Sequence, residues 1–256
     1  MKEVLVVQDN INKVITNALN VDKTNMNENV IKDLIKYIKV ALENNKELIL
    51  QANKIDKKNN NGFELDDNII KNIFTLIEKE DSIYGKVVLS QKDNEKQIIY
   101  GKQIMDRGIV ALINDGNSYI ILELVLRNLL AGNTIIITNS GYMFGTNNLI
   151  VQIIQSVLES LNISKYLVQI FIDENYSAIL SNYANIDLVV CVGNHQLQRK
   201  ILENSKIPTI ISGYENFDLY IEDKTNLSFI KKIIKTGLSI QLYIKKDLNV
   251  DMDDAI

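Results

Sequence analysis

The chain has 256 residues, 46% of them hydrophobic and 23% charged, the make-up of an ordinary globular protein that buries roughly 70–75% of its unfolded surface. A net charge of −4 with a pI near 5.2 argues against general affinity for nucleic acid or an anionic membrane. The single cysteine, Cys191, excludes intramolecular disulfides and cysteine-based metal sites and suits a reducing cytoplasm; with no basic-then-apolar start and no apolar run of about 18 residues, neither a leader peptide nor a transmembrane helix is expected.

Taken in order, residues 1 to about 25 alternate short apolar groups with Asn and Asp and admit either a strand or a helix. From Val30 the apolar positions Leu34, Ile35, Ile38, Ala41, Leu42, Leu48, Ile49 and Ala52 follow helical spacing, which predicts one long amphipathic helix. The string DKKNNNG, residues 56–62, has no apolar residue and reads as a solvated loop. Asp66 or Asp67 then caps a second helix over 69–78, with Ile69, Ile70, Ile73, Phe74 and Ile77 on its inner face. Residues 85–105 change period: two extended runs around the charged turn QKDNEK predict a β-hairpin whose outer strand needs a partner, within the chain or on another subunit.

The stretch 107–147 organises the rest. A buried strand over 109–113 is closed by Asn114-Asp115-Gly116, and a helix over 120–130 ends at Gly132, which can take the left-handed conformation. A second buried strand over 134–138 completes the first half of a mononucleotide-binding βαβ unit, so a ligand is expected beyond the carboxyl ends of these strands. The alternation continues with helices over 148–161, 175–183 and 196–204 and strands over 167–172, 186–192, 208–211 and 217–221. A last helix over 226–236, a strand over 239–244 and a frayed acidic tail, DMDDAI, end the chain. Strands separated by helices of this length imply a mainly parallel sheet, hence an α/β class.

The long helix LENNKELILQANKID, the hairpin before IVALIND, the string AGNTIIIT, and IDLVVCVGNHQLQRKILENSKIPTIISGYENFDLYIED together resemble the coenzyme-binding half of gamma-glutamyl phosphate reductase, in the aldehyde dehydrogenase superfamily. The resemblance covers about residues 30–236. It implies a single Rossmann-like coenzyme-binding domain over 1–256, with N-terminal helices over 26–80, a protruding oligomerisation-type hairpin over 83–105 and an α/β core over 107–245. It also implies NADPH-dependent reduction of an acyl phosphate, by a cysteine thiolate that forms a thioester and an asparagine that helps hold the oxyanion.

The reactive residues of that pattern are missing. The segment KTGLSIQLYIKK, which should carry the cysteine, contains none, and Cys191 ends the strand IDLVVC, where the family has a proline before its glycine turn. Counting back from Gly132-Asn133, the family's catalytic asparagine falls on Tyr119. The chain ends where the catalytic lobe would begin, so no residue is assigned a catalytic role.

After the second strand, Thr138-Asn139-Ser140-Gly141-Tyr142 stands in place of Arg-Gly-Gly followed by Ser and Glu, without the arginine that would hold a phosphate bidentately. Near the fourth strand, Gly193-Asn194-His195-Gln196 replaces Gly-Gly-Lys-Gly; Gly193 can still present backbone N–H groups, and His195, the only histidine, has no evident nucleophile to serve. The candidate cofactor-binding residues are thus Gly116, Thr138, Asn139, Ser140 and Gly193, with NADP the cofactor they would suit. The string Gly141-Tyr142-Met143-Phe144-Gly145 lacks GxGxxG spacing and is expected to form a lid over the sheet edge.

The expectation is a catalytically inactive interaction or regulatory module in the cytoplasm, forming a homo-oligomer or a complex with a full-length relative through the hairpin. Two alternatives stand beside it. One is glutamate-5-semialdehyde dehydrogenase activity completed by another chain, and the other is a residual nucleotide-binding sensor.

Overall fold

The computed structural model describes residues 2–60, 65, 67–93, 98–114, 117–139, 143–173, 176–213, 217–221 and 240–245. Two compact units divide the chain, Met1–Ile211 and Ser212–Ile256.

The first unit opens with helix α1, Lys2–Leu19, which resolves the ambiguity at the start of the chain. Ile11, Ile15 and Ala18, spaced for one helical face, are all buried. The long helix expected from Val30 is instead two helices, α2 (Glu28–Asn44) and α3 (Lys46–Asn60). Asn45 makes the break: its backbone N–H bonds the carbonyls of Ala41 and Leu42 at 3.1 and 3.2 Å, while its side-chain amide donates to Ala41 at 2.8 Å. Asparagine competes in this way for its own helix's carbonyls, which an apolar count does not register. Helix α3 also runs through the expected loop as far as Asn60. Helix α4 spans Asp67–Ile77 and buries Ile70, Ile73, Phe74 and Ile77, as expected.

Strands β1 (Val87–Asp93) and β2 (Ile98–Gln103) form the expected antiparallel hairpin, a two-stranded sheet of their own, with Ser90 opposite Gly101 and a bulge between Val87 and Leu89. The core of the unit is a five-stranded sheet in the order β5-β4-β3-β6-β7. Its strands are β3 (Ile109–Asn114), β4 (Thr134–Asn139), β5 (Val168–Ile172), β6 (Leu188–Val192) and β7 (Thr209–Ser212). The pairs β3–β4, β3–β6 and β4–β5 are parallel.

Every residue of β3 is buried because helices cover both faces, and its alternate side chains enter different cores. Val110 and Leu112 pack with α2, α4, α5 (Ser118–Leu130) and α6 (Phe144–Ser160). Ile109, Ala111 and Ile113 pack with α1, α7 (Ser177–Ser181) and α8 (His195–Asn204). Helix α5 turns Ile121, Leu122, Val125, Leu126 and Leu129 inward, each such burial being worth about 1.5–3 kcal/mol before entropy is counted.

Two further corrections concern the crevice end of the sheet. Helix α6 begins at Phe144, four residues before the expected 148, so Met143 and Phe144 do not form a lid. Met143, buried and in the left-handed conformation at φ 55°, is the helix cap and Phe144 its first residue. Helix α7 is confined to five residues, shorter than the 175–183 expected. In the second unit, β8 (Phe217–Ile221) and β9 (Ile240–Ile244) pair in parallel, Phe217 opposite Ile240. The expected helix over 226–236 and the acidic tail lie outside the described residues. Among the described residues no helix is long and apolar enough to cross a membrane.

Candidate functional site

From β3 the chain crosses through α5 to β4 on one side, while β6 lies on the other side of β3. The carboxyl ends of β3 and β6 therefore flank the point where strand order reverses, the place where an open parallel sheet leaves its ligand crevice. Asn114 ends β3 opposite Val192 at the end of β6.

The side chains at this point bond to the chain itself. Asn114 donates through Nδ2 to the Val192 carbonyl at 2.9 Å and accepts the Asn117 N–H through Oδ1. Asn117 caps α5, its Oδ1 accepting the N–H groups of Tyr119 at 3.0 Å and Ile120 at 3.3 Å. Across the crevice Asn194 caps α8, accepting the Leu197 N–H at 3.0 Å, and the Gln198 amide donates to the Gly193 carbonyl at 2.7 Å. A phosphate at either helix start would have to displace a built-in acceptor. Asn114, Asn117 and Asn194 are positions at the crevice that the family motifs do not mark. For the last two a signal was present, since an asparagine directly before an apolar-periodic run is a helix-start signal.

The start of α6 is occupied in the same way, from far off in sequence. Asp56, on α3, accepts both the N–H and the hydroxyl of Thr146 at 2.7 Å each. A carboxylate there complements the positive end of the helix and repels an incoming anion.

Of the candidate cofactor residues, Thr138 and Asn139 end β4 and Gly193 follows β6, so the structure brings these three to the expected end of the sheet. Gly116 and Ser140, like Gly141 and Tyr142, lie outside the described residues. Thr138 is buried, in register with Ile113 and Phe171. Its hydroxyl, the hydroxyl of Ser118 at the start of α5 and the side-chain carbonyl of Asn147 in α6 are buried without a hydrogen-bond partner among the described residues. Each such orphan costs about 1–3 kcal/mol. Neutral hydroxyl or amide groups of a ligand would satisfy them.

Tyr119 does not replace the asparagine of the resemblance. Its half-buried hydroxyl bonds Glu123 one turn along α5; burial first, then the Glu123 charge and this hydrogen bond, hold its pKa above the usual tyrosine range. Glu123 in turn accepts from Arg127 Nε at 2.9 Å, and Arg127 also reaches Glu80. A phenol donating to a carboxylate is not available to an oxyanion. Cys191 lies inside β6 with no exposed surface, opposite Ile113, and His195 is the exposed first residue of α8. Among the described residues no group of three or more His, Cys, Asp or Glu could hold a metal ion.

No protein-family model matches the chain. It is 26% identical over 220 residues to a gamma-glutamyl phosphate reductase of Dictyoglomus turgidum, the match taking in 85% of this chain and 52% of the relative. The crystal structure of gamma-glutamyl phosphate reductase from Thermotoga maritima superposes with a TM-score of 0.68 at 18% identity, covering 95% of this chain and 64% of that one. A probable aldehyde dehydrogenase from Listeria monocytogenes gives a TM-score of 0.74 at 17% identity, covering 96% and 57%. The resemblance read from the sequence is borne out: the chain is similar to gamma-glutamyl phosphate reductases, spans about half the length of the curated relatives it matches, and has the Rossmann-like α/β fold of the aldehyde dehydrogenase superfamily.

Proposed function

We propose that this chain is a non-catalytic aldehyde dehydrogenase-like module of the cytoplasm, which acts by associating with a second copy of itself or with a full-length gamma-glutamyl phosphate reductase. The carrying observation is the crevice, where Asn114, Asn117, Asn194 and Asp56 hold with the chain's own atoms the strand and helix ends that a cofactor would use. The surface for association is the β1–β2 hairpin. Val88 and Ile99 on it are 65% and 70% exposed, and among the described residues its outer strand edges pair with no other strand.

At micromolar concentration the protein is expected to sediment as a dimer or larger, or to bind a full-length relative. The double variant V88K/I99K should sediment as a monomer with an unchanged circular dichroism spectrum. A wild-type chain that stays monomeric and ignores the relative would end this reading.

A second reading is favoured by the three orphaned groups Ser118, Thr138 and Asn147, a residual nucleotide sensor. Calorimetric titration with NADPH, NADP, NAD and ATP separates the two, and no heat is expected at millimolar ligand. Glutamate-5-semialdehyde dehydrogenase activity completed by another chain is a third reading, motivated by the half-length match. Deleting a nucleophile typically costs on the order of 10⁶ in turnover. Acyl-phosphate-dependent oxidation of NADPH by this chain alone would overturn the non-catalytic assignment.

A further inference from the structure

Helix α2 commits two of its lysines within the chain and leaves a third over. Lys32 pairs with Glu28 at 2.8 Å and with Asp81 at 3.4 Å, and Lys39 pairs with Glu78 at 2.6 Å. Lys36 and Glu43, both exposed, join no salt bridge among the described residues. They lie two helical turns apart, about 10 Å along one edge of α2, with Val40 midway between them. Val40 is 47% exposed and Tyr37 is 51% exposed, so the face beside the two charges is apolar.

Next to this face, in the seam between α2 and α6, runs a groove of about 390 Å³ with Ala41 and Asn45 from α2 and Leu149, Ile153 and Val157 from α6 in its walls. Its polar side chains are already bonded to their own helices. Asn45 Nδ2 donates to the Ala41 carbonyl at 2.8 Å, Ser156 Oγ to that of Gln152 at 2.9 Å and Ser160 Oγ to that of Val157 at 2.7 Å. The groove therefore suits an aromatic or aliphatic side chain better than a charge. Tyr37 stands one turn before Ala41 in the same row of α2, an aromatic knob in line with the hole.

These features are related by a half-turn about an axis through Val40, perpendicular to the helix. That operation lays a second α2 antiparallel on the first and sets Lys36 of each copy opposite Glu43 of the other. It brings the two Val40 side chains together and carries Tyr37 of each copy to the groove beside Ala41 and Asn45 of the other. A face that is both plug and socket, with its charges in complementary order, fits a second copy of this chain rather than an unrelated protein.

We propose that α2 is a self-association surface, on which two copies pack antiparallel about a two-fold axis at Val40. It is separate from the β1–β2 hairpin and weaker. One helix face buries less than the roughly 1,000 Å² of a stable interface, so the contact forms at protein concentrations on the order of 10⁻⁴ M, or between copies that the hairpin already holds together. At micromolar concentration V88K/I99K therefore stays monomeric.

The test uses the V88K/I99K background, in which the hairpin contact is removed. Val40→Cys adds one exposed thiol to a chain whose own Cys191 has no exposed surface, and on the two-fold axis of a helix pair the two new thiols are within disulfide reach. At a concentration on the order of 10⁻⁴ M, mild oxidation is expected to give mostly covalent dimer. Adding Lys36→Glu should cut the yield by about tenfold, because it sets carboxylates face to face, and adding Glu43→Lys to that variant should restore it. Chains carrying Lys36→Glu and chains carrying Glu43→Lys, once mixed, should cross-link with one another better than either does with itself. Absence of covalent dimer, a yield indifferent to Lys36→Glu, or no recovery in K36E/E43K overturns the proposal. Cross-linking that follows these charges upholds it even if the wild type and V88K/I99K sediment alike, a result that would end the hairpin reading alone.

Discussion

Gly132→Ala is expected to destabilise the protein by about 2–4 kcal/mol, a large share of the roughly 5–15 kcal/mol by which domains are stable. Gly132 ends α5 at φ +76°, where a Cβ costs roughly 1–2 kcal/mol. The geometry is a Schellman cap: the Gly132 N–H bonds the Leu129 carbonyl and the Asn133 N–H the Asn128 carbonyl, both at 3.0 Å. A Cβ here would also stand 2.4 Å from the Tyr84 ring. That ring could leave only by disturbing the segment in which Ser82 donates to the Leu130 carbonyl at 2.8 Å. Urea denaturation of Gly132→Ala in the wild-type and Tyr84→Ala backgrounds separates the two costs. In the second background only the backbone part, about 1–2 kcal/mol, should remain. A loss below about 0.5 kcal/mol in the wild-type background would mean that the turn is not built this way.

Asp56→Ala is expected to cost about 2–3 kcal/mol, because it removes two hydrogen bonds to a carboxylate and leaves the first turn of α6 uncapped. Asp56→Asn, which keeps an acceptor without the charge, should cost about half as much. The alanine variant also tests whether the carboxylate occupies an anion seat. Sulfate stabilises folded proteins generally, but an emptied helix start adds a specific gain. Sulfate should therefore raise the urea midpoint of Asp56→Ala more than that of the wild type. Equal sulfate responses would show that no anion seat opens, and that the crevice is closed by something other than Asp56.

Both sites differ in how far they could be read ahead of the structure. Gly132 was legible, because a glycine after a periodic apolar run and before a β-branched strand has one common structural use. The buried strands were legible for a similar reason: IVALI and TIIIT are short, continuous and β-branched-rich, a pattern that sheets buried on both faces require. Tyr84 and its packing on Gly132 were not legible, since nothing local to either residue names the other. Asp56 was misread as part of a loop because DKKNN has no apolar residue to report a helical period. Its partner Thr146 is 90 residues away. The break at Asn45 is not legible because the apolar spacing continues across it, while the competition is between a side-chain amide and a backbone N–H for the carbonyl four residues back.

At the crevice, the sequence placed Thr138, Asn139 and Gly193 at the right end of the sheet, because the strands that carry them are legible as apolar runs. It did not say what the remaining polar groups do. Asn114 and Val192 stand 78 residues apart and meet only because β3 and β6 are neighbours in the sheet. Local period and residue identity thus determined most of the elements and the fold class. The tertiary structure alone decided that the crevice bonds to itself, because hydrogen bonds between distant residues depend on which elements pack side by side, and periodicity carries no record of that.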